Sequence, residues 1–246
     1  MIKELGPGVR FMLVFTIFTG LLYPVAMTGL SELIFPKQAR GSLVSANGKI
    51  VGSSLIGQPF TKPEYFFPRP SAAGSGYDPT ASSGTNLGPT SAKLLRGTTK
   101  KDDKGNEVVD FDGIGDRMVH YCVDNEIPYE SSVPLDQFKD AQGNLDDVKL
   151  IKAFNDDKTP LVFKAKQPIP SDAVTASASG LDPHISPANA EIQSARVSKT
   201  RGVDVAEVRV LIAQSTDRAS LGFLGEPGVN VLLLNKALDE RFPMAK

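Results

Sequence analysis

Residues 11–31 read FMLVFTIFTGLLYPVAMTGLS, 21 consecutive positions without a charged side chain. As a helix rising ~1.5 Å per residue, this run would be roughly 31 Å long, about the thickness of a bilayer's hydrocarbon core. No polar face interrupts it, which argues against a buried soluble helix. A cleaved signal peptide would have a shorter apolar region, about 7–15 residues, ending at a small-x-small site. Here Ala26-Met27-Thr28 is a poor site, and Leu33-Ile34-Phe35 extends the apolar character. The reading is an uncleaved membrane helix over residues 11–35, a cytoplasmic tail over 1–10, and a domain outside the membrane over 36–246. Lys3 and Arg10 precede the span while Lys37, Arg40 and Lys49 follow it, so basic residues alone do not orient it. The short tail and the long C-terminal part favour N-in, C-out, because long domains translocate largely regardless of charge. Thr16, Gly20, Pro24 and Thr28 recur at four-residue spacing, which predicts a small-residue face suited to close packing on a partner helix.

Beyond the span the chain is mixed in character. With a formal net charge of −1, no excess of basic residues points to nucleic acid or to an anionic membrane surface. With Cys122 as the one cysteine, no disulfide can form within the chain. Gly (22) and Pro (18) are frequent, yet 41% of the 246 residues are hydrophobic, as expected for a folded, loop-rich α+β domain. Asn47-Gly48 between Leu43-Val44 and Ile50-Val51 predicts a hairpin, since Asn-Gly supplies the positive φ that strand twist prefers. The stretch RPSAAGSGYDPTASSGTNLGP (residues 69–89) predicts a long, irregular loop with directional groups in Arg69, Tyr77, Asp78 and Asn86. A charged middle, about 98–168, reads as an inserted segment with helices over Asp116–Val123 and Leu145–Phe154. Ser186-Pro187 marks a helix start and Gly202 its end. Asp204 and Glu207 predict a capping box with Val203 and Val208 as its staple. Val229, Val231 and Leu233 alternate as a strand would, with Asn235 placed to cap a last short helix.

Chemistry-bearing patterns are weak. Asp157-Lys158-Thr159 is followed by Pro160 where a phosphorylated-aspartate motif has Gly, and reads as a charged turn. His120-Tyr121-Cys122 has only His184 as a further histidine, so a metal site would need carboxylates to complete it, and ordinary packing is preferred. No metal and no catalytic residue are therefore expected. Thr175–Gly180 (TASASG) lies near Asp182 and His184, but the G-x-S-x-G elbow is absent because Ser177 stands where its first Gly would be. No phosphate-cradling G-x-x-x-x-G-K-[ST] occurs either.

Five blocks follow the apolar run: GSSLIGQPF (52–60), FFPRPSA (66–72), SGTNLGPTS (83–91), VTASASGLDPHISPANAEIQSARV (174–197) and GEPGVNVLLLNKALD (225–239). In this order they resemble the C chain of the Kdp-type potassium-transporting ATPase, with about 98–112 and 129–168 extra relative to the family's compact form. The resemblance implies a non-catalytic, single-pass subunit of the cell (inner) membrane. It implies as partners a channel-like potassium-conducting subunit, an ATP-hydrolysing P-type subunit and a small single-span subunit. It further implies a catalytic-chaperone role in which ATP, used by the complex, is bound more tightly by the hydrolysing subunit, with no cofactor bound directly by this chain. On that basis the expected partner contacts are Thr16 and Gly20 in the span, and Arg69, Tyr77, Asn86, Ser177, Ser179, Gly180 and Asp182 outside it. The alternative is a membrane-tethered extracytoplasmic hydrolase or binding protein acting alone, for which His184 would be the base beside Ser177 or Ser179.

Overall fold

The computed structural model describes residues 2–244. They fall into two compact units, one ending at Leu55 and the other beginning at Ile56. The first unit opens with α1 (Ile2–Ile17), which passes through one wide π turn (Phe18–Leu22) into α2 (Tyr23–Ile34). The helix thus starts well before residue 11, and its apolar span covers Lys3–Ile34, 32 residues. Pro24 accounts for the wide turn. It has no N–H to donate, and its ring crowds the carbonyl four residues back. The ladder adapts locally, with the Tyr23 N–H donating to Phe18 O. This turn interrupts the four-residue spacing, so Thr16 is offset in phase from Pro24 and Thr28. Thr19 and Thr28 hide their hydroxyls on the carbonyls of Phe15 (2.7 Å) and Pro24 (2.8 Å). A short α3 (Pro36–Ala39) leads to the hairpin β1 (Leu43–Ala46) and β2 (Lys49–Ser53). Asn47 (φ 50°) and Gly48 (φ 75°) form its turn as expected.

The second unit is α+β with small antiparallel sheets. After a long irregular stretch come α4 (Ala92–Arg96), the hairpin β3 (Thr98–Lys101) and β4 (Glu107–Phe111), and α5 (Ile114–Asp124). Then follow β5 (Tyr129–Ser131), a 3-10 turn (Leu135–Phe138), α6 (Asp147–Phe154), and β6 (Phe163–Ala165), which pairs with β5. Helix α6 starts later than residue 145 because Asp146 caps it by accepting the Lys149 N–H, while Leu145 forms a β-bridge with Lys139. Beyond a 3-10 turn (Ser171–Ala173) lie β7 (His184–Ile185), α7 (Pro187–Arg201), α8 (Val205–Gln214), β8 (Thr216–Asp217), β9 (Gly228–Asn230) and α9 (Val231–Arg241). Strand β9 is the centre of a three-stranded sheet, β7-β9-β8.

Ser186 caps α7, and Gly202 ends it in the left-handed conformation (φ 66°), both as read from the sequence. Two expectations fail at the C-terminal end. Asp204 caps α8 through Ala206 N, but Glu207 does not close the box; it pairs with Arg241 instead. The strand ends at Asn230, which itself caps α9 by accepting Leu233 N, so Val231 and Leu233 are helical. Val231, Leu234 and Leu238 then share one buried face at helical spacing, and this decides the matter over alternation.

Two main apolar clusters result. One joins Phe66, Ile185, Val197, Val208, Val229, Leu234 and Leu238; the other joins Val119, Leu135, Phe138, Leu150, Phe154 and Leu161 of the middle segment. Helix α5 belongs to both sides of the molecule. Val119 faces the middle-segment cluster, whereas Tyr121 and Cys122 pack with Ile127 and reach Ile192 on α7.

Candidate functional site: a clamped loop and an adjoining cleft

The irregular stretch from Phe60 to Pro89 is held without strands. A buried chain in this conformation must find partners for its backbone groups elsewhere. Here side-chain amides supply them. Asn235 accepts from Phe66 N (2.8 Å) and donates to Phe66 O (3.0 Å), which is why it is buried and not a cap. Gln193 does the same for Phe67, at 2.7 and 3.1 Å. Arg196 donates to the carbonyls of Pro63 (2.5 Å) and Tyr65 (2.9 Å), and its guanidinium lies 3.9 Å from the centre of the Phe67 ring. Asn189, Gln193 and Arg196 thus form a buried polar stripe on α7.

This framework presents Arg69 to the TASASG loop. Arg69 Nη1 pairs with Asp182 Oδ2 at 3.0 Å, and its other nitrogens reach Thr175 O and Ala176 O, both at 3.4 Å. The Tyr77 hydroxyl donates to Arg69 O (2.7 Å) from a backbone at φ 57°. Ser71 is a hub that sequence inspection gives no reason to select. Its hydroxyl donates to Gly180 O (2.6 Å) and accepts from Tyr77 N (2.8 Å). Ser83 N donates to Ser179 O (3.0 Å), closing the loop against the second half of the irregular stretch. Arg69, Tyr77, Ser179, Gly180 and Asp182 are thereby brought together. Ser177 sits beside them through its hydroxyl, 3.4 Å from that of Ser179. Asn86 stands apart, exposed, at φ 52°. Thr16 and Gly20 belong to the other unit.

Electrostatics match this internal role. Burial pushes the Asp182 carboxyl up, but hydrogen bonds from His184 and the Arg69 charge outweigh it and hold the group below the usual carboxylate range. Burial and the Asp182 charge raise the Tyr77 phenol well above its usual value, so it stays a donor. His184 turns Nδ1 towards Asp182 (3.5 Å) and Nε2 to Asp217 (3.0 Å). Those carboxylates raise its pKa, and neither nitrogen serves Ser177 or Ser179. The arrangement a serine hydrolase needs is not assembled here. Asp157-Lys158-Thr159 likewise forms a turn, with Asp156 Oδ1 accepting from Lys158 N (2.9 Å) and Thr159 N (2.6 Å).

Gly180 is a point where the clamp closes backbone against backbone. It is buried at φ 68°, and a Cβ there would lie 2.5 Å from Ser83 O and 2.8 Å from Ala73 N. Both are backbone atoms, so the loops must part to admit a methyl group. Gly180→Ala is expected to destabilise the fold by about 2–4 kcal/mol, combining left-handed strain with overpacking. Thermal unfolding measures this; a melting temperature equal to wild type would contradict the clamp.

Beside the clamp opens a cleft of about 670 Å³, lined by Phe60, Phe67 and Arg69 on one side and by α5, α7 and the start of α6 on the others. Arg117 spans its floor, donating to both oxygens of Asp112 (2.8 Å each) and to Val174 O (3.1 Å). Asp116, pushed up to about 7 by burial, faces the same cleft as His120 and Asp147. His120 is raised chiefly by its hydrogen bond to Asp147. These two carboxylates are the partners that His120 lacked in the sequence; Asp116, four residues away on the helix, was the visible half of that signal.

The family model described as K+-transporting ATPase, c chain, matches residues 5–112 and 140–240. The internal gap in the match, residues 113–139, includes α5, whereas residues 98–112 and 140–168, read from the sequence as extra, lie inside the match. The chain is also similar to curated proteins called "Potassium-transporting ATPase KdpC subunit". That of Mycobacterium tuberculosis (strain H37Rv) is 40% identical over 237 residues, 96% of this chain and 98% of that protein. That of Beijerinckia indica is 38% identical over 246 residues, covering 100% and 98%. That of Caulobacter vibrioides is 41% identical over 244 residues, covering 99% and 96%.

Proposed function

This chain belongs to the family of K+-transporting ATPase c chains, and from that membership we propose that it is a non-catalytic subunit of an ATP-driven potassium-uptake complex. The observation that carries the reading is the match at both ends of the chain, residues 5–112 and 140–240, together with an apolar helix long enough to span a bilayer. In this proposal the helix anchors the subunit with its N-terminus in the cytoplasm, and the unit from Ile56 onward lies outside. Potassium conduction and ATP hydrolysis belong to a channel-like and a P-type partner, and a small single-span subunit completes the complex. A domain outside the membrane cannot touch cytoplasmic nucleotide. Any increase in ATP affinity therefore acts as a coupling free energy carried through the partners.

The docking face we assign is the clamped loop. Ser179 is exposed on it and Arg69 with Tyr77 holds it in shape, while Asn86, exposed and apart from the clamp, would make a separate contact. Thr16 and Gly20 would pack the anchor against a partner helix. Arg69→Ala removes the ion pair to Asp182 and both carbonyl contacts, so the loop loses its fixed shape while the apolar clusters persist. Co-purification of the channel-like subunit in mild detergent is expected to fall several-fold, with the variant still folded. Unchanged recovery of the complex and unchanged potassium uptake would remove the clamp from the interface. Recovery of the chain as a lone, active hydrolase would overturn the subunit reading itself.

A further inference from the structure

Asp116 and His120 are four residues apart on α5 and therefore share one face, and Asp147 is the first residue of α6. One ligand atom from each lies within 4.8 Å of the others. His120 Nε2 and Asp147 Oδ1 are 2.8 Å apart. Asp116 is 3% exposed, yet its Oδ1 is buried with no hydrogen-bond partner, the only such side-chain atom among the described residues. A buried oxygen left without a donor costs about 1–3 kcal/mol, more for a charged group. A His–Asp ion pair would account for His120 and Asp147 but leave this oxygen unexplained. A cation accounts for all three groups.

We propose that Asp116, His120 and Asp147 form a binding site for a zinc-type divalent ion at the cleft. Imidazole nitrogen is a ligand chosen by zinc and its transition-metal neighbours, whereas magnesium and calcium prefer oxygen throughout. Zinc bonds of about 2.0–2.2 Å to nitrogen and oxygen require neighbouring ligand atoms roughly 3.3 Å apart in a tetrahedron. The His120–Asp147 pair must open by about half an ångström, and Asp116 must close by a side-chain adjustment. Three protein ligands leave a fourth position, which opens on the 670 Å³ cleft and can take water or an anionic group. Bound there, the ion staples α5 to α6. Because α5 also packs on α7, it ties the middle segment to the rest of the unit. Two of the three ligands lie in residues 113–139, outside the family match, so the site is separate from the features that define the family.

The test uses the full-length protein in detergent, stripped of metal with a chelator and titrated with zinc chloride by calorimetry. One saturable site per chain is expected, with a rise in melting temperature. His120→Ala and Asp147→Asn should each weaken zinc binding by at least roughly 100-fold, more than the 10- to 100-fold typical when only an outer partner of a ligand is lost. The chain holds two histidines, so imidazole NMR of the wild type reads the site even if a variant fails to fold. The His120 resonances should move on adding zinc, and those of His184 should not. No saturable zinc binding, movement of His184 alone, or undiminished binding by folded His120→Ala would each overturn the proposal. Equal saturation by magnesium chloride would overturn the zinc-type assignment.

Discussion

Replacing Arg196 with alanine is expected to destabilise the folded unit by about 2–4 kcal/mol, as when a buried hydrogen-bond network loses the donor its members share. The side chain is 8% exposed, and burial pulls its pKa down to about 10, so it remains charged at neutral pH at a real desolvation cost. Hydrogen bonds offset that cost. Arg196 donates to Pro63 O, Tyr65 O, Asn125 Oδ1 (3.1 Å) and Gln193 Oε1 (2.7 Å), and stacks on Phe67. Alanine deprives the buried Asn125 and Gln193 oxygens of that donor, frees the carbonyls of Pro63 and Tyr65 and removes the stacked surface, and the Phe60–Pro70 segment loses its shape. For a unit of this size the loss corresponds to a fall in melting temperature on the order of 10 °C. Arg209, whose exposed guanidinium pairs with Glu191, provides the contrast. Its alanine variant should melt close to the wild-type temperature, because solvent screens an exposed pair. Equal melting temperatures for the two variants would refute the claim that α7's polar stripe holds the irregular stretch.

That stripe also shows where sequence reading stops. Ser186, Pro187 and Gly202 were legible because a helix start and stop are decided by backbone groups within a few residues. The Asn47-Gly48 hairpin was legible for the same reason. Asn235 was misread because an Asn can cap its own helix or satisfy a distant backbone, and the choice lay with Phe66, 169 residues away. The same distance problem hid Ser71, whose partner Gly180 comes 109 residues later. Arg69 and Asp182 were picked out individually as partner contacts. The structure pairs them with each other, so their contribution to any interface passes through the shape of the loop. At the cleft, the helical spacing of Asp116 and His120 was visible, but Asp147 arrives from another element, and only folding supplies the third group.

The largest effect is expected from the apolar helix. In an otherwise full-length chain, changing both Leu21 and Leu22 to arginine should abolish membrane integration and, with it, recovery of the potassium-uptake complex. No residue in the apolar window of Lys3–Ile34 is buried by the chain itself. Phe11, Phe15, Phe18, Leu21, Leu22 and Ile34 are each more than half exposed. A surface of that kind is stable only against lipid or another helix. On the insertion scale each central arginine costs about 2.5–3.5 kcal/mol and each lost leucine removes about 0.5 kcal/mol of favourable transfer. The pair therefore shifts insertion by about 6–8 kcal/mol, enough to reverse a preference held by one span. Long side chains near a helix end could reach the interface, but these positions are close to the middle of the span, where reaching it is hardest. Alkaline extraction of membranes separates the outcomes: wild-type chain stays in the pellet and the double variant moves to the supernatant. Gly20→Ile probes the finer question of packing, since it keeps the span apolar while enlarging the helix surface; it should leave the chain in the pellet and weaken only its association with partners. A double-arginine variant that remained in the pellet and still supported potassium uptake would show that the helix is not what holds this subunit in place.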